Sequence, residues 1–335
     1  FYVELGRKPY LTKEGRITID DTALQRLARG TLAHDGLRSA KLTQEIRGLN
    51  KLYGTYLNIE FDADNRMRGS YNPRGTKFGR LSSSKTIFGT GTNFQNLPQE
   101  FKKFLVADDG YVLWEVDKRQ AEWVVVAYLT GDANMLSVVE SGKDTHIHTA
   151  SLMFNVPPEL IEADNKLIGH ESNPDLIQQI RAEADLQDFT SNFPRTMSAR
   201  QCGKKSNHGL NYDEGPNTFA LLNELPPAEA KRIIKLYHTI YPGIRIWYDW
   251  IKKQLQVDRT LVNCFGRRVR FMDAWGMDLW KAAYSMIPQS TVVDSLNMGM
   301  KKIYDDSELC TIDHCNIDIL AQVHDSILLH LPISV

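Results

Sequence analysis

Between Ala40 and Tyr56 the apolar residues Leu42, Ile46, Leu49 and Leu52 fall at helical spacing, with lysines and arginines on the other side, which predicts an amphipathic helix. From Gly69 to Pro98 the periodicity stops. Gly, Ser, Thr, Asn and Pro dominate there, with Arg74, Lys77, Arg80 and Lys85 and no acidic residue. A loop of that length inside a compact domain is ordinarily functional or mobile. Tyr111 to Val116 is rich in β-formers and predicts a strand ending at Asp117. Glu122 to Leu129 and Met135 to Ser141 predict helices divided by the turn Thr130-Gly131-Asp132. Pro226 to Tyr241 and Ile244 to Val257 predict two more, separated by Pro242-Gly243. Leu279 to Tyr304 predicts a long helix interrupted near Pro288. Ile317 to Leu331 predicts two short apolar strands around His324-Asp325, a hairpin. Helices mixed with strands that are distant in sequence predict an α+β fold with a helical insertion.

Composition changes this picture in two places. The 335 residues are enough for two or three structural units with a sizeable core, and 42% apolar residues exclude wholesale disorder. The longest apolar run, Trp123 to Leu129, is far short of the roughly 20 residues that span a bilayer. No charged-then-apolar leader opens the chain, so neither secretion nor membrane insertion is expected. Cys202, Cys264, Cys310 and Cys315 form no CxxC pair, and reduced thiols in a cytosolic compartment are expected. The start at Phe1, in mid-pattern, is expected of a piece of a longer protein. A net charge of −1 argues at first against a nucleic-acid partner. Yet Val156 to Asp188 holds eight carboxylates against Lys166 and Arg181, a net of −6, which leaves about +5 for the rest of the chain. Pro194 to Tyr212 carries Arg195, Arg200, Lys204 and Lys205 and no acid. Binding to DNA depends on local cations on one face, so the near-neutral total excludes nothing.

Asp117 and Asp325 each end an apolar strand. A carboxylate there is held rigidly at a sheet edge, and two that converge make an oxygen-ligand site for a pair of Mg²⁺ ions. Taken singly, each is equally at home as a turn former. Arg200, Lys204, His208 and Tyr212 recur every four residues, one helix face rising about 18 Å from first to last. Two cations suit a triphosphate and two rings a sugar and base, although such a stripe alone also describes a solvated helix face. Gly203 and Gly209 each cost roughly 1 kcal/mol inside a helix, which predicts close approach by another group. Arg80-Leu-Ser-Ser-Ser84 and Asn93-Phe-Gln-Asn96 are polar segments able to donate to phosphates or minor-groove acceptors, and by themselves are ordinary surface loops.

In order along the chain, these strings resemble those of the family A DNA polymerases, typified by bacterial DNA polymerase I and several phage replicative enzymes. Gly79-Arg-Leu-Ser-Ser-Ser84 with Gln95-Asn96-Leu97-Pro98 resembles the template-primer loop. Asp117-Lys-Arg-Gln-Ala-Glu122, followed by Ala127-Tyr-Leu-Thr-Gly-Asp132, resembles the first catalytic motif. Asp144-Thr-His146 resembles a fingers segment with a phosphate-binding histidine. Arg200-x3-Lys204-x3-His208-x3-Tyr212 keeps the O-helix spacing. Phe265-Gly-Arg-Arg268 and Gln289 also match, and Gln322-Val-His-Asp325 resembles the last catalytic motif. The resemblance runs from about Leu37 to Pro332.

It implies a right-hand fold with a palm antiparallel sheet, helical fingers and a partial thumb. The expected division is thumb over 1–68, first palm part over 69–134, fingers over 135–242 with an acidic insertion at about 160–193, and second palm part over 243–335. It further implies a template-directed DNA polymerase that adds deoxynucleotides to a primer 3′-OH. Asp117 and Asp325 would ligate two Mg²⁺, with Mn²⁺ as a substitute. Gln120, His146, Arg200, Lys204 and His208 would bind the dNTP, Tyr212 would guard the base-pair pocket, and Glu122 would exclude a ribose 2′-OH. Arg80, Asn93, Gln95, Asn96, Arg267, Gln289 and His324 would touch the primer-template. Partners would be primer-template DNA, dNTPs and an unknown replisome partner, with no membrane, in the cytoplasm of a bacterial or phage-infected cell. Four departures stand out. Ser326 follows the His-Asp pair where the family has Glu, and His208 replaces Phe or Tyr. Lys118-Arg119 replaces Tyr-Ser and is expected to add two cations beside the metals. The long acidic segment between fingers helices is expected to face outward. Ser326 and the neighbours of Asp117 motivate a second reading, a catalytically weakened nucleic-acid-binding relative. A third, a ribonucleotide-using relative, is opposed by Glu122.

Overall fold

The computed structural model describes residues 2–12, 14–29, 37–186, 190–191, 193–306 and 317–333, in two compact units. The first comprises Phe1–Tyr71 and Ser83–Leu105. Strands β1 (Tyr10–Leu11) and β2 (Ile17–Thr18) pair antiparallel. Helix α1 (Asp21–Arg29) starts where the Asp20 carboxylate accepts from the Ala23 amide at 2.8 Å. Helix α2 (Arg38–Lys51) widens at Leu52–Leu57 into a π-type turn. Tyr2, Leu24, Leu27 and Ala40 form one small core, and Tyr56, Ile59 and Leu97 another. The helix expected over 40–56 is therefore present, but its leucine stripe is not its buried face. Ala40 packs toward α1, while Leu42, Ile46 and Leu49 stay exposed at 45, 57 and 64%. Periodicity identifies the helix; it does not say that the apolar side is covered within the same unit.

The stretch expected to be a loop from Gly69 holds short strands β3 (Ser70–Asn72) and β4 (Ser82–Ser84) and a 3₁₀ turn at Phe94–Asn96, followed by helix α3 (Gln99–Lys102).

The second unit comprises Asn72–Ser82 and Val106–Val335. Its sheet has strand order β5-β9-β8, all antiparallel, with β5 at Tyr111–Asp117, β8 at Asp318–Val323 and β9 at Ser326–Pro332. The register runs from Tyr111 opposite Pro332 to Asp117 opposite Ser326. Because side chains alternate along a strand, Val112, Trp114 and Val116 share a face with Leu331, Leu329 and Ile327, and Leu113, Glu115 and Asp117 share the other with His330, Leu328 and Ser326. Ile327 and Leu329 bury their face against Leu296.

The second unit also contains α4 (Ala121–Thr130), α5 (Ala133–Glu140), α6 (Thr145–Phe154), α7 (Pro158–Ile168), α8 (Pro174–Glu183), α9 (Ala199–Leu210), α10 (Pro216–Leu222), α11 (Pro227–Ile240), α12 (Pro242–Asp258) and α13 (Met277–Asp305), with hairpin strands β6 (Thr260–Val262) and β7 (Arg268–Arg270) between α12 and α13. Trp123 and Val126 of α4 join Phe219, Ile233, Tyr237, Ile251 and Tyr284 in the main core. Each such side chain contributes about 1.5–3 kcal/mol on burial. Asp132 caps two helices at once. One carboxylate oxygen accepts from Asn134 and Met135 at the start of α5, the other from Gly243 at 2.8 Å near the start of α12. A Cβ at Gly243 would lie 2.8 Å from that of Asp132, so the Pro242-Gly243 turn needs its glycine.

Two expectations need correction. Pro288 does not interrupt α13, which runs unbroken from Met277 to Asp305. A proline inside a helix removes one amide, and the buried Ala283, Tyr284, Ile287 and Thr291 hold the turns on either side of it. The acidic segment does not face wholly outward either. Glu159, Glu162, Asp175, Glu183 and Asp185 are exposed, but Asp164 is completely buried with Arg181. The guanidinium donates to Asp164 at 2.8 Å and to the carbonyls of Pro194 and Met197, and Asp164 accepts from the Ala199 amide at 2.7 Å. An ion pair inside the insert thus fastens the N-terminus of α9.

Both helix glycines of α9 have close neighbours. A Cβ at Gly203 would lie 2.2 Å from the backbone oxygen of His146 in α6, and one at Gly209 would lie 2.2 Å from a Glu214 carboxylate oxygen. Backbone cannot yield, whereas a carboxylate can swing away. Gly203→Ala is therefore expected to lower stability by about 1–3 kcal/mol in urea unfolding, and Gly209→Ala by less than half of that. Equal losses would refute the crossing as the reason for Gly203. Cys202 is buried and Cys264 exposed, both as free thiols; Cys310 and Cys315 lie outside the described residues. Among the described residues no helix is long and apolar enough to cross a membrane.

Candidate active site

The end of β5 and the β8–β9 turn bring Asp117 and Asp325 together. Asp117 stands opposite Ser326, and beyond the strand the Lys118 amide donates to the Asp325 carbonyl at 3.3 Å. His324 occupies the left-handed region at φ +53°, exposed, and Gln322 donates its amide to the His324 carbonyl, which fixes the turn. One carboxylate oxygen of Asp325 is buried without a hydrogen-bond partner. Burial, then the charge of Glu122, and with them that of Asp117, push the Asp325 carboxyl above its usual range against Arg80 and His324. An orphaned, crowded carboxylate oxygen fits a hard cation, which would supply the missing partner and offset the repulsion. Among the described residues no group of three or more His, Cys, Asp or Glu side chains is gathered to hold a metal. Two carboxylates suit Mg²⁺, which keeps several waters and binds substrate phosphates.

Lys118 and Arg119 are not simply two cations beside these carboxylates. The Lys118 ammonium donates to Ser295 at 2.6 Å, and burial lowers its pKa against the pull of Asp325. The Arg119 guanidinium reaches the Gly142 carbonyl at 3.3 Å. Both are tied to other elements.

Glu122, in the first turn of α4, is the centre of a second cluster. Its carboxylate pairs with the Arg80 guanidinium, accepts from the Tyr212 hydroxyl at 2.9 Å and lies 3.4 Å from the His208 ring nitrogen. Burial acts to raise the Glu122 carboxyl, but the His208 hydrogen bond and the Arg80 charge outweigh it and hold it below the ordinary range. The same hydrogen bond raises the His208 pKa. The His208 ring stands edge-on to Tyr212 at 5.3 Å. Helix α9 ends at Leu210, so Tyr212 leaves the expected four-residue stripe and is buried in the following turn, while His208 and Lys204 are exposed. Gln120, at φ +54°, accepts from the Thr145 amide at 3.0 Å and leaves its own amide nitrogen buried without a partner.

Arg200 pairs with Asp144 at 2.8 Å, and Asp144 also caps α6 by accepting from the His146 and Ile147 amides. His146 is buried, with its ring nitrogen 3.1 Å from the Asn207 amide. Burial, with the charges of Arg200 and Lys204, lowers its pKa to about 4 against the opposing Asp144, so at neutral pH it is an uncharged imidazole. Asn207 further donates to the Thr145 carbonyl and accepts from Thr149, which locks α9 onto α6. Arg267 is paired with Asp294 through two nitrogens and backs against Gly79 (φ +85°), where a Cβ would lie 2.4 Å from its guanidinium carbon. Gln289 is half-buried on α13.

The remaining residues lie in the other unit and serve its local structure. Asn93 accepts from the Gln95 amide, Gln95 accepts from the Ser83 amide at 3.2 Å, and the Asn96 carbonyl accepts from the Tyr56 hydroxyl. Asp144 and Asp294, the partners of Arg200 and Arg267, were not singled out from sequence as partners. Nor was Glu115, whose carboxylate accepts from the Ser326 hydroxyl at 2.7 Å. Strand alternation back from Asp117 was the available signal for Glu115.

The sequence profile of DNA polymerase family A matches residues 1–173 and 167–334. The chain belongs to DNA polymerase family A. Family A relatives include the thermostable DNA polymerase I of Thermus thermophilus, 28% identical over 305 residues that cover 85% of this chain and 31% of that protein. The DNA polymerase of Escherichia phage T5 is 28% identical over 355 residues, covering 97% of this chain and 37% of that protein. The chain thus spans about a third of the length of these family A relatives. The POL domain of Pol1 from M. smegmatis, solved in complex with DNA primer-template and dNTP, shares the fold at a TM-score of 0.71 and 23% identity, covering 98% of this chain and 52% of that one. The α+β expectation holds for this family A chain, which mixes helices with small antiparallel sheets.

Proposed function

We propose that this chain is the polymerase portion of a template-directed DNA polymerase that adds deoxynucleotides to a primer 3′-OH. The observation that carries the reading is the convergence of Asp117 and Asp325 at one end of β5 and β9, in a chain of family A. Two Mg²⁺ ions, or Mn²⁺ in their place, held by these carboxylates and the triphosphate would help ionise the primer hydroxyl and stabilise the leaving pyrophosphate. Asp117 and Asp325 orient those ions from rigid strand ends. Lys204 offers an exposed ammonium to the triphosphate, and Arg200 would exchange Asp144 for a phosphate oxygen. His146, neutral, serves by hydrogen bonding rather than by charge. Gln120 adds a polar contact to the bound nucleotide.

Glu122 lies below the sugar and would clash with a 2′-OH, with Tyr212, His208 and Arg80 holding its carboxylate in place. His324, Gln289 and Arg267 would touch the primer-template, and Asn93, Gln95 and Asn96 would contact DNA from their own unit. Residues 1–68 are the thumb, 69–134 and 243–335 the palm, and 135–242 the fingers.

Extension of a primed template with Mg²⁺ tests the reading, and failure to incorporate any dNTP would remove it. In the same assay Glu122→Ala is expected to raise ribonucleotide relative to deoxynucleotide incorporation roughly tenfold or more. An unchanged ratio would take the sugar-selecting role away from Glu122.

A further inference from the structure

We propose that Glu115 is the outer carboxylate of the metal site, in place of the glutamate that family A members carry directly after the His-Asp pair and that Ser326 replaces in this chain. Glu115 and Asp117 are two residues apart on β5 and project from the same face of the sheet. Ser326 lies opposite Asp117 on the neighbouring strand, and its hydroxyl donates to the Glu115 carboxylate at 2.7 Å. The hydroxyl also lies 3.0 Å from the Val323 carbonyl. It has one proton, and the shorter bond to a charged acceptor is the stronger of the two. Position 326 therefore supplies no carboxylate of its own; it anchors one that reaches in from the edge strand.

Glu115 is exposed, and no third carboxylate joins Asp117 and Asp325 as a direct ligand among the described residues. Its role is accordingly that of a positioning residue. It would accept a hydrogen bond from water on a bound metal, since Mg²⁺ retains several such waters. Carboxylates one shell out from a metal strengthen its binding without touching it.

This inference rests on the polymerase reading, and the test separates the two. Mn²⁺ binding to the full chain, with primer-template present and no nucleotide, is followed by the loss of the free-ion electron paramagnetic resonance signal. Glu115→Gln, which keeps shape and removes charge, is expected to weaken Mn²⁺ binding about tenfold with an unchanged thermal midpoint. Ser326→Glu in that background is expected to restore it. Ser326→Ala alone should weaken it by a smaller factor, because Glu115 loses its anchor. Glu115→Gln binding Mn²⁺ as the parent does, while Asp117→Ala loses it, would overturn the Glu115 role and leave the polymerase reading intact. Failure of Ser326→Glu to restore binding in a folded variant would overturn the substitution of one carboxylate for the other. Parent and Asp117→Ala binding alike would overturn the metal site and the role of Glu115 with it.

Discussion

Asp117→Ala is expected to slow single-nucleotide addition by roughly 10³-fold or more while primer-template affinity stays within about twofold. The two effects separate because the groups that perform them are different. DNA affinity comes mainly from cations on phosphates, and Asp117 contributes none of these. Asp117 also has little to do for the fold: it is the last residue of an edge strand, exposed, and its backbone pairing with Ser326 survives removal of the side chain. What disappears is one of the two carboxylates at this end of the sheet, and the one left behind, Asp325, keeps a buried oxygen with no hydrogen-bond partner. Asp325→Asn is the complementary variant, since it keeps the shape and gives up the charge. Rapid-quench incorporation and fluorescence anisotropy on the same primed template measure the two quantities. Residual incorporation within tenfold of the parent in Asp117→Ala would remove this residue from the chemistry.

The largest expected loss of stability lies elsewhere. Arg181→Ala is expected to destabilise the chain by about 3–5 kcal/mol, because it leaves the Asp164 carboxylate buried and unpaired. Arg181 is 1% exposed and Asp164 0%, so neither can turn to water. The guanidinium also satisfies the carbonyls of Pro194 and Met197, and these would be orphaned together with it. Replacing both members by apolar residues, as in Asp164→Leu with Arg181→Met, should recover part of the loss, since no buried charge then remains, while the Pro194 and Met197 carbonyls and the Ala199 amide stay without their partners. Urea unfolding of the single and double variants decides the matter. A loss below about 1 kcal/mol in Arg181→Ala would show that the pair does not secure this region.

The parts legible in the sequence are those whose information is local. The strand before Asp117 and the hairpin around Asp325 follow from β-forming residues and a turn, and they place the two carboxylates at strand ends. The basic run at Arg200 and Lys204 does form a helix. What could not be read is pairing across the chain. Nothing near Asp164 distinguishes it from seven neighbouring acids, and its partner is 17 residues away. Asp144 is tied to Arg200 from 56 residues before it. The apolar stripe of α2 shows the same limit from the opposite side, because periodicity gives a face but not what it touches. At Pro288 the local rule predicts a break, and packing on both sides of the proline overrides it.

The contact between Gly203 and the His146 carbonyl bears on how the helices could move. Two backbones that meet without a side chain between them cannot slide past one another by a turn, because the next residue along α9 to reach the crossing would bring a Cβ into it. They can pivot about that point. The amide of Asn207, bonded to α6 one turn further on, resists even the pivot. Any rearrangement that carries the Lys204 and His208 face toward a ligand must therefore carry α6 with it as one lever, and the bending has to occur in the segments that lead into and out of the pair.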